Sequence, residues 1–393
     1  MCYVLLPFIL TFLPSFVFAA GFLIYNQDAK ANGMGMACVS SIDNASSVFY
    51  NPANLLELEK EGFSINMTLI KPDLSFKNSV SGKSYETKSK THSLLSLYGY
   101  HTGKKISFGL GVFSPFGLSV KWKNDFPGRY YSLLSELETL FINPVLGLKL
   151  NERTNLAFGV SYVLSSIKFK TMVPTPLGID GLSSLSGRGE GIGYNMAALL
   201  KLPKGYSFSL VFRSPVRIDY KGRGKIFMPA PIPSFSTECR TTLELPYLLV
   251  SGLAKRFGNT TFELDVLYTG WSSMNTYRIR SENGLLDRYY HKGWSNTFSF
   301  CGGLNHKMAK GIEIQIGYMY DITPVPLSTR GPELPDATRH IFTAGTSYER
   351  RGLKASISYQ ATFFKKAKSH LPYLSGRYSN FAHLLLINLG YSR

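Results

Sequence analysis

Polar and apolar residues alternate with a period of two along most of this chain. In "GIEIQIGYMYD" the residues Ile312, Ile314, Ile316, Tyr318 and Tyr320 interleave with Glu313, Gln315, Gly317 and Met319. "LKASISYQATFF" sets Leu353, Ala355, Ile357, Tyr359 and Phe363 against Lys354, Ser356, Ser358, Gln360 and Thr362. "TFELDVLY" does the same with Phe262, Leu264, Val266 and Tyr268 against Glu263, Asp265 and Leu267. Such a period predicts β-strands with one apolar face. Aliphatic residues occupy the middle of each apolar face and aromatics its ends, the distribution expected where a face meets lipid between two interfaces.

Punctuation between the strands alternates too. Short polar turns at "HTGKK", "LNERTN", "LPKGY", "RFGNT", "NHKMAKG" and "ERRG" read as tight hairpins. Between them lie longer irregular segments at 77–91, 123–136, 172–188, 221–236, 281–293, 324–337 and 366–380. That rhythm predicts an all-β, transmembrane antiparallel barrel of about fourteen strands, with short turns facing the periplasm and long loops facing outward. The first strand starts near Gly62 and the last is "FAHLLLINLGY". A soluble sandwich or propeller is the competing reading, but no blade-length repeat is visible.

Composition agrees with a lipid-facing surface. Charged residues are 17% of the chain, against roughly 25% in soluble domains. Aromatics reach 14%, yet the mean hydropathy of −0.01 is too polar for a bundle of membrane helices. The apolar stretch Met1–Ala19 reads as a secretory signal with Val17 and Ala19 before the cleavage site. No Lys or Arg precedes it, so an uncleaved anchor or a misplaced start is the alternative. The predicted organisation is a signal at 1–19, a compact plug at 20–61 and a barrel at 62–393. Residues 20–61 lack sustained alternation, and Gly33, Gly35 and Pro52 break any long helix. Their content of Phe22, Leu23, Ile24, Tyr25, Val48, Phe49 and Tyr50 exceeds what a disordered tail needs.

Candidate chemistry is sparse. Cys38, Cys239 and Cys301 follow the signal with irregular spacing, and the 7 histidines are scattered, so neither a disulfide framework nor a metal site is indicated. No nucleophile and base assemble into a catalytic set, and no cofactor is implied. The formal net charge of +18 is spread over loops, turns and strands without a nucleic-acid recognition module. A basic exterior suits anionic lipid and lipopolysaccharide phosphates, or serves loop solubility alone.

The mature start "GFLIYNQDAKANGMGMACVSSIDNASSVFYNPANL" resembles the N-terminal hatch of the FadL and TodX outer-membrane transporters for fatty acids and other hydrophobic compounds. It carries a Gly-rich segment, a turn containing Asp43, and the motif Asn51, Pro52 and Ala53, in that order. Further similarity runs in order through "SPFGLSVKW", "GRYY", "NPVLGLKLN", "FRSPVRIDYKG", "YTGWSS" and "PVPLSTRGPELPDATRH". The resemblance implies a monomeric fourteen-stranded barrel plugged by the hatch. It also implies capture of long-chain fatty acids or similar ligands outside, and sideways release into the outer membrane. Ser114, Pro115, Phe116 and Gly117 are the candidate lateral opening, since a proline removes a ladder hydrogen bond and glycine permits a kink. An ordinary rim bulge is the alternative.

Extending the alternation through "YSFSLVFRSPVRIDY" places Phe208, Leu210, Phe212, Val216, Ile218 and Tyr220 outward, with Arg213, Arg217 and Asp219 inward. Arg213 and Arg217, with Lys168 of undetermined facing, are the candidates for a ligand carboxylate. Salt bridges from the arginines to Glu263 or Asp265 are the other reading. Barrels of this kind usually end on an aromatic residue, whereas this chain ends Tyr391-Ser392-Arg393, so that either Tyr391 is read by the barrel assembly machinery or assembly is less efficient. A general porin, or a surface barrel that binds anionic lipid without transport, is the alternative function.

Overall fold

The computed structural model describes residues 21–88 and 90–393. The expected signal at 1–19 lies outside the described residues. Among those described, fourteen strands close into one antiparallel barrel. They are β1 (Glu61–Asn78), β2 (His92–Thr102), β3 (Ile106–Phe113, then Gly117–Lys121), β4 (Leu134–Lys149), β5 (Thr154–Val173), β6 (Gly181–Leu202) and β7 (Tyr206–Arg213, then Val216–Phe227). The remainder are β8 (Phe235–Leu245, then Leu248–Phe257), β9 (Thr260–Thr269, then Thr276–Ser281), β10 (Arg288–His291, then Thr297–Lys307), β11 (Ile312–Asp321), β12 (Arg339–Arg350), β13 (Leu353–Phe364) and β14 (Leu374–Ser392). Each pairs with its sequence neighbours, and β1 closes the ring on β14 from Gly62↔Ser392 to Asn78↔Gly376. Closure joins the two outer edges that an open sheet would present to lipid, where each unpaired amide would cost several kcal/mol.

The alternation holds strand by strand. On β9, Phe262 and Leu264 are 41% and 51% exposed while Glu263 and Asp265 are buried. Short turns fall at each of the predicted places. In the β12–β13 turn, Arg351 and Gly352 both have positive φ, and a Cβ on Gly352 would sit 2.3 Å from the Ser392 carbonyl oxygen.

Several of the long loops are shorter than expected, although 324–337 stays free of strand. β5 and β6 pair as far as Val173↔Gly181, β7 and β8 as far as Ile226↔Phe235, and a hairpin from Ala367–Leu371 pairs with the start of β14. Beyond the membrane the outward positions of these strands carry Arg188, Lys221, Arg223 and Lys225 while glycines such as 187, 189, 191 and 222 point inward. Apolar alternation therefore vanishes there although the ladder continues. A tag within 174–180 or 282–287 is expected to bind antibody on intact cells, and one within 203–205 or 258–259 to bind only after permeabilisation. The opposite labelling would invert the orientation.

Residues 21–55 run through the interior against the inner faces of the wall, and 56–60 lead out to the start of β1. Helix α1 (Ala29–Gly33) is capped by Asp28, whose Oδ1 accepts from Ala31 N at 3.0 Å. Helix α2 (Ser47–Tyr50) leads into a 3-10 turn at Pro52–Glu57. Phe22, Ile24, Tyr25, Val48, Phe49 and Tyr50 are all buried, as the segment's apolar content requires.

Candidate functional site

The Asn51-Pro52-Ala53 stretch is a joint between the interior segment and the wall. Asn51 Oδ1 accepts from Ala53 N at 3.0 Å, which caps the 3-10 turn, and Pro52 occupies a first-turn position where no donor is needed. Asn51 Nδ2 donates to Val39 O at 2.7 Å and to Ser209 Oγ on β7 at 3.0 Å. Ala53 O accepts from Asn155 Nδ2 on β5 at 3.3 Å. Asp43, eight residues before Asn51 in the same segment, accepts from Lys30 Nζ at 2.7 Å, and Lys30 also reaches Glu313 Oε2 on β11 at 2.7 Å.

Glu263 and Asp265 hold the same segment by its backbone. Asp265 Oδ2 accepts from Cys38 N at 2.8 Å and Val39 N at 3.1 Å, Glu263 Oε1 accepts from Ser40 N at 2.6 Å, and Ser41 Oγ donates to Glu263 Oε2. They make no ion pair with Arg213. That guanidinium points inward as expected, donates to the Phe49 and Val48 carbonyls, and lies over the Phe49 ring at 4.7 Å. It braces the interior segment.

Arg217 and Lys168 do not face the interior. Ser214 and Val216 are both buried on either side of the exposed Pro215, so the break inserts one residue and reverses the facing beyond it. Val216, Ile218 and Tyr220 thus point inward, while Arg217 and Asp219 are exposed and pair with each other at 3.5 Å. Lys168 is exposed on β5 beside buried Ile167, in register with Glu136.

At Ser114-Pro115-Phe116 the wall changes partner. The β2–β3 ladder runs from Thr102↔Ser107 and stops at Leu97↔Val112, whereas the second segment of β3 continues to pair with β4 from Gly117↔Glu138 to Lys121↔Leu134. In place of β2, the interior segment bonds to the break. Ile24 N donates to Pro115 O at 2.7 Å and Gly117 N donates to Phe22 O at 2.9 Å, with Leu23 bridged to Phe116. Gln27 spans what remains, donating to Ser114 O at 3.0 Å and accepting from Ser96 Oγ on β2 at 2.7 Å. Further out, Thr87 is bridged to Trp122, which closes the upper rim.

Directly above lies a narrow apolar cavity of about 70 Å³, smaller than a preformed small-molecule site, so a ligand must displace its lining to enter. Phe22 and Leu118, on the interior segment and β3, form its inner wall together with Met274 and Trp294. The Phe22 ring sits 4.8 Å from Trp271 and 5.8 Å from Trp294. Lys292 and Glu333, paired at 2.5 Å, supply charge to this otherwise greasy lining. Burial pushes the Lys292 ammonium toward neutrality, but the Glu333 carboxylate more than offsets that and raises its pKa above the ordinary value. Near the same end, Gly21 N donates to Asp336 Oδ2 at 3.1 Å and Thr323 Oγ1 donates to it at 2.6 Å. Burial pushes the Asp336 carboxyl up to about 6 against the opposing pull of Arg339.

Sequence reasoning missed Lys292, Glu333 and Gln27. The two cavity charges sit in loops with no periodicity to report their facing, and Gln27 acquires its role only through contacts with β2 and β3.

The sequence profile of the family described as "Outer membrane protein transport protein (OMPP1/FadL/TodX)" matches residues 10–389. Long-chain fatty acid transport proteins of Salmonella typhi and Escherichia coli K12 are each 23% identical, over 367 and 383 residues, with 84% of both chains covered in each comparison. A solved Pseudomonas aeruginosa FadL homologue superposes with a TM-score of 0.86 at 17% identity, covering 94% of this chain and 99% of that one. The P. putida toluene transporter TodX gives 0.80 at 14% identity, covering 93% and 98%.

Proposed function

Since the chain belongs to the OMPP1/FadL/TodX family of outer membrane transport proteins, we propose that it takes up long-chain fatty acids or similar hydrophobic compounds passively and releases them sideways through its wall. One observation carries the reading: Phe22 lines the apolar cavity, and its own carbonyl bonds Gly117 at the interruption of β3. A ligand that displaces the Phe22 ring therefore pulls on the hydrogen bonds that seal the interruption. A greasy molecule gains nothing from an aqueous lumen, so the route from cavity to lipid avoids water. Residues 20–61 act as the hatch in this scheme, which argues against a general porin.

Lys292 favours an acid as ligand. Its ammonium can exchange Glu333 for a ligand carboxylate while the chain fills the apolar lining. Replacing the pair with Lys292→Met and Glu333→Gln is expected to weaken oleate binding to the purified protein about tenfold, the worth of one charge-assisted hydrogen bond. Oleyl alcohol binding should stay within about twofold, since it has no carboxylate to lose. Equal loss for both ligands would exclude carboxylate recognition, and unchanged oleate binding would place the ligand elsewhere. The remaining partners follow from the setting: outer-membrane lipid and lipopolysaccharide around a monomer, and the barrel assembly machinery engaging the last strand near Tyr391.

A further inference from the structure

Adjacent rings lie near the outer edge of the lipid-facing band on β6 to β10, with Ile192 one outward position further on β6. Tyr194 and Phe212 lie 6.0 Å apart, Tyr247 and Tyr268 6.0 Å, and Tyr268 and Phe298 4.8 Å. Beyond that belt the outward face carries a row of bases in register. Arg188 on β6 opposes Lys221 on β7, Lys221 opposes Arg240 on β8, and Arg240 opposes Arg280 on β9. All are exposed, and the inward neighbours Tyr220, Cys239 and Ile279 are buried, which fixes the row on the outside of the wall.

Opposed side chains on a sheet stand about 4.5–5.5 Å apart, where like charges destabilise the pairing. Nearby carboxylates relieve the row only in part: Asp219 attracts Lys221 and Asp287 attracts Arg280, but both are also held by other partners. Asp219 accepts from Thr242 Oγ1 at 2.5 Å and pairs with Arg217, Glu190 is engaged by the Tyr162 hydroxyl, and Asp287 Oδ1 accepts from Ser281 N at 2.7 Å. Glu238 is in register with Arg223. Glu282 lies beyond Arg280 on the exposed loop. Solubility alone asks for charge, and it is met as well by bases out of register.

Height identifies the partner. Ile192, 71% exposed, is the outermost apolar residue on the lipid side of β6; from it to Arg188 the strand rises about 13 Å along its own axis, hence about 10 Å above the hydrocarbon boundary at the usual tilt, beyond a headgroup layer of about 5–7 Å. Phospholipid headgroups at that boundary lie too low to reach the row. Sugars and phosphates of a large outer-leaflet glycolipid occupy that level. Arginine's planar fork suits phosphate oxygens, and Arg188, Arg240 and Arg280 provide it.

We propose that Arg188, Lys221, Arg240 and Arg280 form a binding site for the phosphorylated core of lipopolysaccharide. The assignment deepens the outer-membrane reading above and rests on it. The test uses the full-length purified barrel and a variant with Arg188→Gln, Lys221→Gln, Arg240→Gln and Arg280→Gln. A control with the same loss of charge at the opposite turns carries Lys104→Gln, Lys105→Gln, Lys204→Gln and Lys310→Gln. Cell fractionation and heat-modifiability establish separately that each protein folds and reaches the outer membrane, so failure of that reading shows independently of the binding result. Binding is measured to lipopolysaccharide with an intact phosphorylated core, to the same material after phosphatase treatment, and to phosphatidylglycerol vesicles. Wild type and control should bind the intact glycolipid at least about tenfold more tightly than the row variant. Phosphatase treatment should erase that difference. Equal binding by the row variant, equal loss in the control, or equally tight binding of wild type to phosphatidylglycerol vesicles would each overturn the site.

Discussion

Uptake of labelled oleate falls about tenfold when Pro115 and Gly117 are both replaced by valine, while equilibrium binding of oleate to the purified protein is retained. The expectation follows from the interruption in β3. Its second segment pairs with β4 but is joined on its other flank by Phe22, Leu23 and Ile24 instead of β2. Valine at 115 restores an N–H donor, and valine at 117 favours extended backbone. Both changes draw β3 back toward its ladder with β2. One recovered ladder hydrogen bond is worth about 1 kcal/mol, and it must break again for each molecule released, so a tenfold slowing needs little more than one such bond. The cavity lies above the break and keeps its lining, so binding persists. Outer-membrane abundance is matched before the comparison. Uptake at the wild-type rate would mean that the interruption is a rim irregularity and that ligand leaves by another route, such as past the hatch into the periplasm.

Asn51→Ala separates the hatch from the barrel. The substitution removes the acceptor that caps Ala53 and the donor that ties Val39 to Ser209. Loss of a cap costs about 0.5–2 kcal/mol, and losing one of the two bonds to the Val39 carbonyl, which keeps Asn54 Nδ2 at 3.1 Å, costs about 0.5–1.5 kcal/mol more. The wall loses no ladder bond, so the protein stays heat-modifiable on gels. Amides of residues 21–60 should then exchange with deuterium at least about tenfold faster, and conductance across planar bilayers should rise as the lumen opens. Pro52→Ala should act in the same direction more weakly, because Asn51 keeps its bonds. Loss of the folded barrel band in both variants would show that hatch and wall fold as one unit.

Facing was legible wherever periodicity ran unbroken. On β9, β11 and β13 the choice of outward residues follows from a period of two and from one face meeting lipid, both local properties of consecutive residues. Turn positions were equally local, since Gly and polar clusters mark them whatever the rest of the chain does. Loops followed from punctuation and the plug from its apolar content, while the hatch motif and the lateral opening came through resemblance. Facing failed at Arg217 because Ser214-Pro215 inserts one residue, and a shift of one reverses every side chain that follows. Loop lengths failed at 181–188 and 221–227 because water on the outside removes the hydrophobic half of the pattern while leaving the hydrogen bonds.

Partners across the barrel belong to a different order of information. Asp265 meets Cys38 although 227 positions separate them, and Lys292 meets Glu333 across 41. Nothing within either neighbourhood of the chain marks the other, because the interior of a closed barrel brings together whichever residues share a height. The sequence by itself determined that the chain is a lipid-facing barrel with an apolar segment before its first strand, since period, turn chemistry and composition act over a few residues. Only the closed tertiary structure decided that Glu263 and Asp265 anchor that segment, that Arg213 braces it, and that Phe22 joins the cavity to the break in β3. Those are contacts between the inside of a wall and the segment it encloses, and they exist only once the ring has shut.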